Sequence, residues 1–589
     1  MPNRDAPELG AWLRSIRDLA AAGVDRAGIM LATAIALGDR LGRAFPERGI
    51  RLSARALPIV PPPSDDAGPD LLGRAYESTL DTDHRRAAGA HYTPAAVADR
   101  LVELALDDLP GRPTVCDPAC GGGAFLLAAG RTLARRGVEP RHVVAELLWG
   151  VDVDPLAVAV TEAALYLWSG SSPGDHLAVA DALTSGLGAW PRPPTRGFAA
   201  VVGNPPFQSQ LGRRTARSPA AAETLRSRYR NAVAAYADTA WIFLAAAIDL
   251  TRPGGRVVLI QPQSLLAARD ADGVRRLAVT CAALEGLWLP RDPIFDAAVW
   301  VCAPVLRVGE SPLRTIRVWE GADVREREPI DFDPDASSWA PLAAEVQSVP
   351  HVRLATDDRT LGAIARATAG FRDEYYGLTA FVVDDPDHAA DDRAFPRVVT
   401  SGLIEPGRVA WGERRVRLAK AHWEAPRLDL NALCDHGQAR IARWVCDRLV
   451  PKVVVATQSR AVEAAIDADG TWVPSTPVIS VEAPPEALAH IAAVLLAPPV
   501  TAWALRQAAG TALAPGVVKL AARQVVRIPL PLHRAPWDDA AGLVGRFPPG
   551  PRTDEHRRLL AHVGVRMCAA YGVEEVSAGL LEWWAARLP

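Results

Sequence analysis

The apolar positions of this chain change their period several times along its length, and each change marks an element or a boundary. Leu9, Trp12, Leu13, Ile16 and Leu19 recur at three-to-four spacing, the period of a helix face, which predicts a helical amino-terminal segment over residues 1–57. Residues 58–70 (PIVPPPSDDAGPD) break that period. Proline lacks a backbone donor and fixes φ, so a linker is expected there. From residue 71 to 310, short apolar runs alternate with helical stretches. The runs TVCD (114–117), LLWGVDV (147–153), HLAVAD (176–181), FAAVVGN (198–204), GRVVLIQP (255–262) and VWVCAPVLRV (299–308) predict strands. Strands separated by helix-length segments pair in parallel through crossover helices. The expected fold is therefore α/β, a doubly wound Rossmann-like sheet with ligands gathered at the carboxyl ends of its strands.

Beyond residue 310 the alternation weakens. Loops such as FVVDDPDHAADDRAFP (381–396) interrupt short apolar segments, and a strand-like run returns at KVVVAT (452–457). A helical stretch and RQVVRIPLPL follow within residues 484–532. This pattern predicts a separate mixed α+β domain over 311–540 and a helical carboxyl-terminal segment over 541–589. No internal repeat is visible.

Composition narrows the class without changing this picture. A length of 589 residues suggests three or four structural units, and 49% hydrophobic with 23% charged residues is a folded globular composition. There is no apolar run of 18 residues, and the first ten residues (MPNRDAPELG) are not a basic region leading into an apolar one. A cytoplasmic protein with no membrane span is expected. The seven cysteines form no CxxC pair, so neither a disulfide framework nor a metal site is expected. A net charge of −3 gives no overall attraction to nucleic acid, but residues 408–460 hold eleven Lys/Arg against five Asp/Glu. That segment is either a DNA-facing patch or a solvated helical face.

The candidate chemistry lies at four successive strand ends. TVCDPACGGGAFLLAAG places Asp117 at the end of a strand and Gly121, Gly122 and Gly123 in the turn before a helix. Glycines admit close backbone approach, and the helix start offers unpaired N–H groups to a carboxylate or phosphate. A dinucleotide fingerprint would need glycine at 126, where Leu126 stands. GVDVDP sets Asp152 and Asp154 at the next strand end; a carboxylate there can accept from ribose hydroxyls, while Asp154 suits the cap of a helix beginning at Pro155. Asp181 ends the third strand and can accept from an adenine amino group. Each aspartate alone also reads as a helix cap.

The fourth end, VVGNPPF, carries the sharpest signal. Asn204 followed by Pro205 and Pro206 makes a stiff turn in which the Asn side-chain oxygen and the Pro205 carbonyl can accept both hydrogens of one amino group. Such acceptance draws the nitrogen lone pair towards an electrophilic methyl group, so positioning does most of the work of a base. Phe207 would stack on the ring.

In combination these motifs resemble the adenine-N6 DNA methyltransferases of the gamma arrangement, in which cofactor motifs precede the catalytic motif and a target-recognition domain comes last. The resemblance covers residues 71–310 most fully and 360–540 more loosely. It extends to GAHYTPAAVADRLVELAL (89–106) and to YADTAWIFLAAAIDLTRPGGRVVLIQPQSLL (236–266). It implies S-adenosyl-L-methionine as cofactor. Tyr92, Thr93, Pro94, Asp117, Ala119 and Gly121 would then meet its methionine part, Asp152 the ribose and Asp181 the adenine. Asn204, Pro205, Pro206 and Phe207 become the catalytic residues, and Phe295 a second aromatic face of the base pocket. It further implies duplex DNA as substrate, a target adenine flipped from the stack, and a place in a restriction-modification or phage-defence system, alone or with other subunits. Arg414, Arg415, Arg417 and Lys420 are the candidate DNA contacts.

Relatives that also cut DNA carry a Pro-Asp…Glu-x-Lys pattern. In residues 1–90, Pro69-Asp70 is followed by Glu77-Ser78-Thr79, without the lysine, which implies modification without cleavage by this stretch. Similar turns occur in methyltransferases acting on ribosomal RNA or on a protein glutamine amide, and the long carboxyl-terminal half favours DNA over both. A cytosine-N4 enzyme would more often show serine in place of Asn204. A noncatalytic subunit would be expected to have a damaged turn, and this one is intact.

Overall fold

All six expected strands form, and the sheet they build is larger than the pattern implied. The computed structural model describes residues 7–46, 50–52, 54, 57, 68–80, 93–208, 218–229, 232, 234, 236–295, 299–370, 372–418, 421–437, 439–510 and 516–589. Two compact units divide the chain, Met1–Leu342 and Ala343–Pro589.

In the first unit the strands are β1 (Val115–Asp117), β2 (Leu148–Asp152), β3 (Leu177–Val179), β4 (Phe198–Gly203), β5 (Thr251–Leu259), β6 (Gln261–Pro262), β7 (Ala282–Leu289), β8 (Val301–Val308), β9 (Thr315–Glu320) and β10 (Arg325–Asp331). The sheet order is β10-β9-β7-β8-β5-β4-β1-β2-β3, with β6 pairing β8. β3, β2, β1, β4 and β5 are parallel, as expected, and the order reverses beside β1. The other half is not: β8 runs antiparallel to both β5 and β7. The expectation of an all-parallel sheet is corrected here. β7 follows directly on the helix Asp272–Cys281 with no turn signal between them, and β7 and β8 are joined by residues 290–300, too short a link for the crossover helix a parallel pair needs.

β9 and β10 lie beyond residue 310, yet β9 pairs in parallel with β7 through Leu287 and Val318. The first unit therefore ends at Leu342, not at residue 310. Its amino-terminal helices are part of the same core. α1 (Pro7–Ala21) and α2 (Arg26–Arg40) bury Leu9, Trp12, Ile16 and Ile29 in one cluster with Leu71 and Leu72 of α3 (Asp70–Ser78). That cluster also takes in Val97 of α4 (Ala95–Leu106) and Phe125 of α5 (Ala124–Arg135). A helical segment standing apart over residues 1–57 is thus replaced by helices packed on the sheet. Each fully buried leucine or isoleucine contributes about 1.5–3 kcal/mol relative to exposure.

α6 (Pro155–Ser169) shows how local sequence sets an element. Asp154 Oδ1 accepts from Leu156 N at 2.8 Å as its cap, Pro155 opens it, and Gly170 ends it at φ +77°. α7 (Thr239–Leu250) is capped in the same way by Asp238.

The second unit contains two four-stranded sheets. One orders Arg366–Ala369, Ile479–Glu482, Lys452–Val455 and Ala464–Asp467; the other orders Val382–Asp384, Pro426–Leu428, Arg397–Val399 and Trp472–Pro474. Its helices Arg534–Val544 and Asp554–Ala570 pack together across the expected break at residues 540 and 541, so the carboxyl-terminal helices belong to this unit. Among the described residues no single helix is long and apolar enough to cross a membrane.

Candidate active site

The carboxyl ends of β1, β2, β3 and β4 converge on a cavity of about 450 Å³. That is the size of a typical small-molecule site. Thr93, Asp117, Ala119, Gly121, Asp152, Asp181, Asn204 and Pro206 all line it, so most of the cofactor and catalytic candidates meet in one place. Pro94, Pro205, Phe207 and Phe295 are not in its lining, and Tyr92 lies outside the described residues.

Backbone amides hold the acidic groups. Asp117 Oδ1 accepts from Ala119 N at 3.0 Å. Asp152 accepts from Gly121 N and from Asp154 N, both at 2.9 Å, one on each oxygen. Asp181 Oδ1 accepts from Leu183 N at 2.9 Å, capping the short helix Ala182–Ser185. The cap role and a ligand role coexist, because each carboxylate oxygen has a further lone pair. Burial pushes the Asp117 carboxyl up to about 8 and the nearby Asp152 carboxylate adds to this, against the lowering bond from Ala119. Burial likewise raises Asp152.

The glycines are there for proximity. Gly121 and Gly123 have φ of +49° and +86°, and a Cβ on Gly203 would sit 2.6 Å from Asp117 Oδ1. Thr161 Oγ1 donates to Gly121 O at 2.7 Å and pins the turn to α6.

At the fourth end the amide Nδ2 of Asn204 donates to Thr93 Oγ1 at 3.1 Å, and Thr93 is itself buried. The stretch after the prolines is tied to α7: Gln208 N donates to Asp238 Oδ1 at 3.1 Å and Thr239 N to Gln208 O at 3.2 Å. Half-buried Phe207 meets buried Phe295 edge to face, with ring centroids 6.3 Å apart and planes at 69°.

Among the lining residues that the sequence did not single out are Val153, Arg26, Tyr76 and Glu77. Val153, flanked by Asp152 and Asp154, is 69% exposed at the cavity wall, which is unusual for an apolar strand-end residue. The available signal was its place inside GVDVDP. Arg26, Tyr76 and Glu77 come from α2 and α3, and nothing in the local sequence points them at a strand end. Tyr76 Oη donates to Asp154 Oδ2 at 2.8 Å, and Arg26 stands 3.7 Å from the same oxygen.

In the second unit Arg414, Arg415 and Arg417 do share a concavity, of about 820 Å³, with Tyr375 and Tyr376. Lys420 lies outside the described residues. The basic excess of residues 408–460 is matched in part inside the unit. Arg408 pairs with Glu405 and Glu413, Arg427 with Asp385 and Asp392, Lys452 with Asp467, and Arg415 with Glu424. Arg408, Arg427 and Lys452 are buried, so the count over residues 408–460 overstated the charge available to a partner.

A doubly wound sheet with a glycine turn, acidic strand ends and an Asn-Pro-Pro-Phe turn around one cavity has the Rossmann-like methyltransferase fold. Residues 67–307 match the family model of the N-6 DNA Methylase. The type II methyltransferase M.MamI of Microbacterium ammoniaphilum is 35% identical over 156 residues, covering 23% of this chain and 40% of that protein. M.VspI, a type II methyltransferase of Vibrio sp. (strain 343), is 29% identical over 102 residues, 17% of this chain and 22% of its own length. The chain thus spans less than half the length of these relatives. The solved structure of the Type IIL restriction-modification enzyme MmeI in complex with DNA aligns with a TM-score of 0.61 over 99% of this chain and 94% of that one, at 14% identity, a likeness of fold.

Proposed function

We propose that the chain transfers a methyl group from S-adenosyl-L-methionine to the N6 amino group of adenine in duplex DNA, as the modification activity of a restriction-modification or phage-defence system. The observation that carries this reading is Asn204, at the end of β4 with its amide oriented by Thr93, in one cavity with three strand-end aspartates.

The residues suit this cofactor. Asp152 offers acceptors for ribose hydroxyls and Asp181 one for the adenine amino group, and exposed Val153 offers the apolar face an adenine ring needs. The glycine turn leaves room for the amino-acid part beside the first N–H groups of α5. When bound, S-adenosyl-L-methionine supplies a methyl group on a cationic sulfur. Asn204 and the Pro205 carbonyl accept the two hydrogens of the target amino group and fix its lone pair in line. Phe207 stacks on the base, and Phe295, edge-on behind it, holds that ring in place. Extrusion of the base from the duplex costs a few kcal/mol, which stacking and the two hydrogen bonds offset. The second unit, with Arg414, Arg415 and Arg417 beside two tyrosines, is the proposed recognition region.

Incubation of the purified chain with tritiated S-adenosyl-L-methionine and duplex DNA of mixed sequence, followed by nucleoside mass spectrometry, tests the proposal. N6-methyladenine is expected. Label in RNA or protein and not in DNA would overturn the substrate, and no transfer at all would overturn the activity.

A further inference from the structure

Helix α3 lies directly on the glycine turn. A Cβ on Gly73 would come within 2.7 Å of Gly122 O, and one on Gly122 within 2.5 Å of Gly73 Cα, so the two backbones touch with no side chain between them. Residues three and four further along a helix lie on the same face. From Gly73 these are Tyr76 and Glu77, and both line the cavity. Tyr76 is committed to the nucleoside end through its bond to Asp154 Oδ2. Glu77 is half-buried, one helical turn beyond the Gly73–Gly122 contact, and lines the cavity from α3.

The amino-acid part of the cofactor carries two charges that need partners. Its carboxylate suits the unpaired N–H groups where α5 begins after Gly123. Its ammonium group needs an acceptor. Asp117 is fully buried with one oxygen on Ala119 N, and its burial favours the uncharged form. Glu77 keeps partial access to solvent and lines the same cavity beside the glycine turn.

We propose that Glu77 binds the α-ammonium group of the cofactor's methionine part, which makes the helices before the first cofactor motif a wall of the binding site. This rests on the cofactor reading above. It also gives a reason for the backbone contact between Gly73 and Gly122: any side chain there would lift α3 and carry Glu77 away from the turn.

Calorimetric titration of the full chain and of Glu77→Gln with three thioethers tests it: S-adenosylhomocysteine, its decarboxylated amine, and 5′-methylthioadenosine, which lacks the amino-acid part. The variant is expected to bind the first two roughly ten- to hundredfold more weakly, the range for a hydrogen bond between charged groups. Methylthioadenosine affinity should stay within about twofold, which also reports that the variant is folded. Unchanged affinity for S-adenosylhomocysteine, or an equal loss for all three ligands, would overturn the assignment. A wild-type chain that binds methylthioadenosine as tightly as S-adenosylhomocysteine would overturn it too. A wild-type chain that binds none of the three would instead overturn the cofactor reading on which it rests.

Discussion

The cavity at the strand ends of the first unit and the arginine surface of the second handle charge in opposite ways. In the cavity, Asp117, Asp152 and Asp181 are held by backbone N–H groups, at 2.9–3.0 Å. Backbone holds them in place while lone pairs remain for a ligand. In the second unit, Arg408, Arg427, Lys452 and Arg415 face carboxylates of other segments. There charge is neutralised by charge, and only the unmatched part is left for a partner. Polar groups preorganised by main chain define a site, whereas a local excess of one sign defines one only after its internal pairs are subtracted.

The largest expected effect sharpens this contrast at the cavity. Asn204→Ala should lower methyl transfer by roughly 10³-fold, about 4 kcal/mol, because a prepositioned hydrogen-bonding group is lost from the reacting centre. S-adenosylhomocysteine affinity should stay within a few-fold. Single-turnover transfer and calorimetry check the pair of outcomes, and retained transfer would break the catalytic assignment.

Next is the paired charge of the second unit. Lys452→Ala leaves the buried Asp467 carboxylate without its cation and should destabilise that unit by about 3 kcal/mol or more, read from urea unfolding. A loss below about 1 kcal/mol would show that the pair adds little there.

The pH dependence of the ligand-free chain probes the cavity again. Asp117 titrates at about 8 when folded against an ordinary 3.8. The native state keeps a proton the unfolded chain has lost, so between about pH 4 and pH 8 this group makes stability fall as pH rises, by up to about 1.4 kcal/mol per unit. Above the folded value the slope levels off. Asp117→Asn should lack this contribution, and superimposable urea midpoints for the two proteins from pH 5 to 9 would refute the buried, protonated state.

The smallest effects are expected at the arginine surface. Arg417 is exposed between buried Val416 and Leu418 on the hairpin Val416–Leu418/Ala421–Trp423, so Arg417→Ala should weaken duplex binding by about 1–3 kcal/mol. Arg415, already paired with Glu424, should matter by less than about 1 kcal/mol when replaced by alanine. Fluorescence anisotropy on duplex DNA at fixed salt checks both. The reverse ranking would mean that the Arg415–Glu424 pair opens on binding.

What could be read from the chain is what short stretches of it impose. The strand-turn-helix at Asp117–Gly123, the Asp154 cap with Pro155, and the stiff Asn204-Pro205-Pro206 turn each follow from φ restriction, missing donors and local hydrogen bonds. They needed no partner from elsewhere, so their chemistry and order along the sheet were legible. The all-parallel sheet was misjudged because β7 follows a helix with no turn residue to mark it. The boundary at residue 310 failed because pairing of β9 with β7 is a contact between distant segments. The same reason covers Thr93 orienting Asn204 across 111 positions, Phe295 edge-on to Phe207, α3 lying on the glycine turn, and the carboxylates that match the second unit's arginines. Local sequence determined which groups stand at the strand ends. Only tertiary packing decided what holds them and what closes over them, because those partners come from far along the chain and leave no periodic mark.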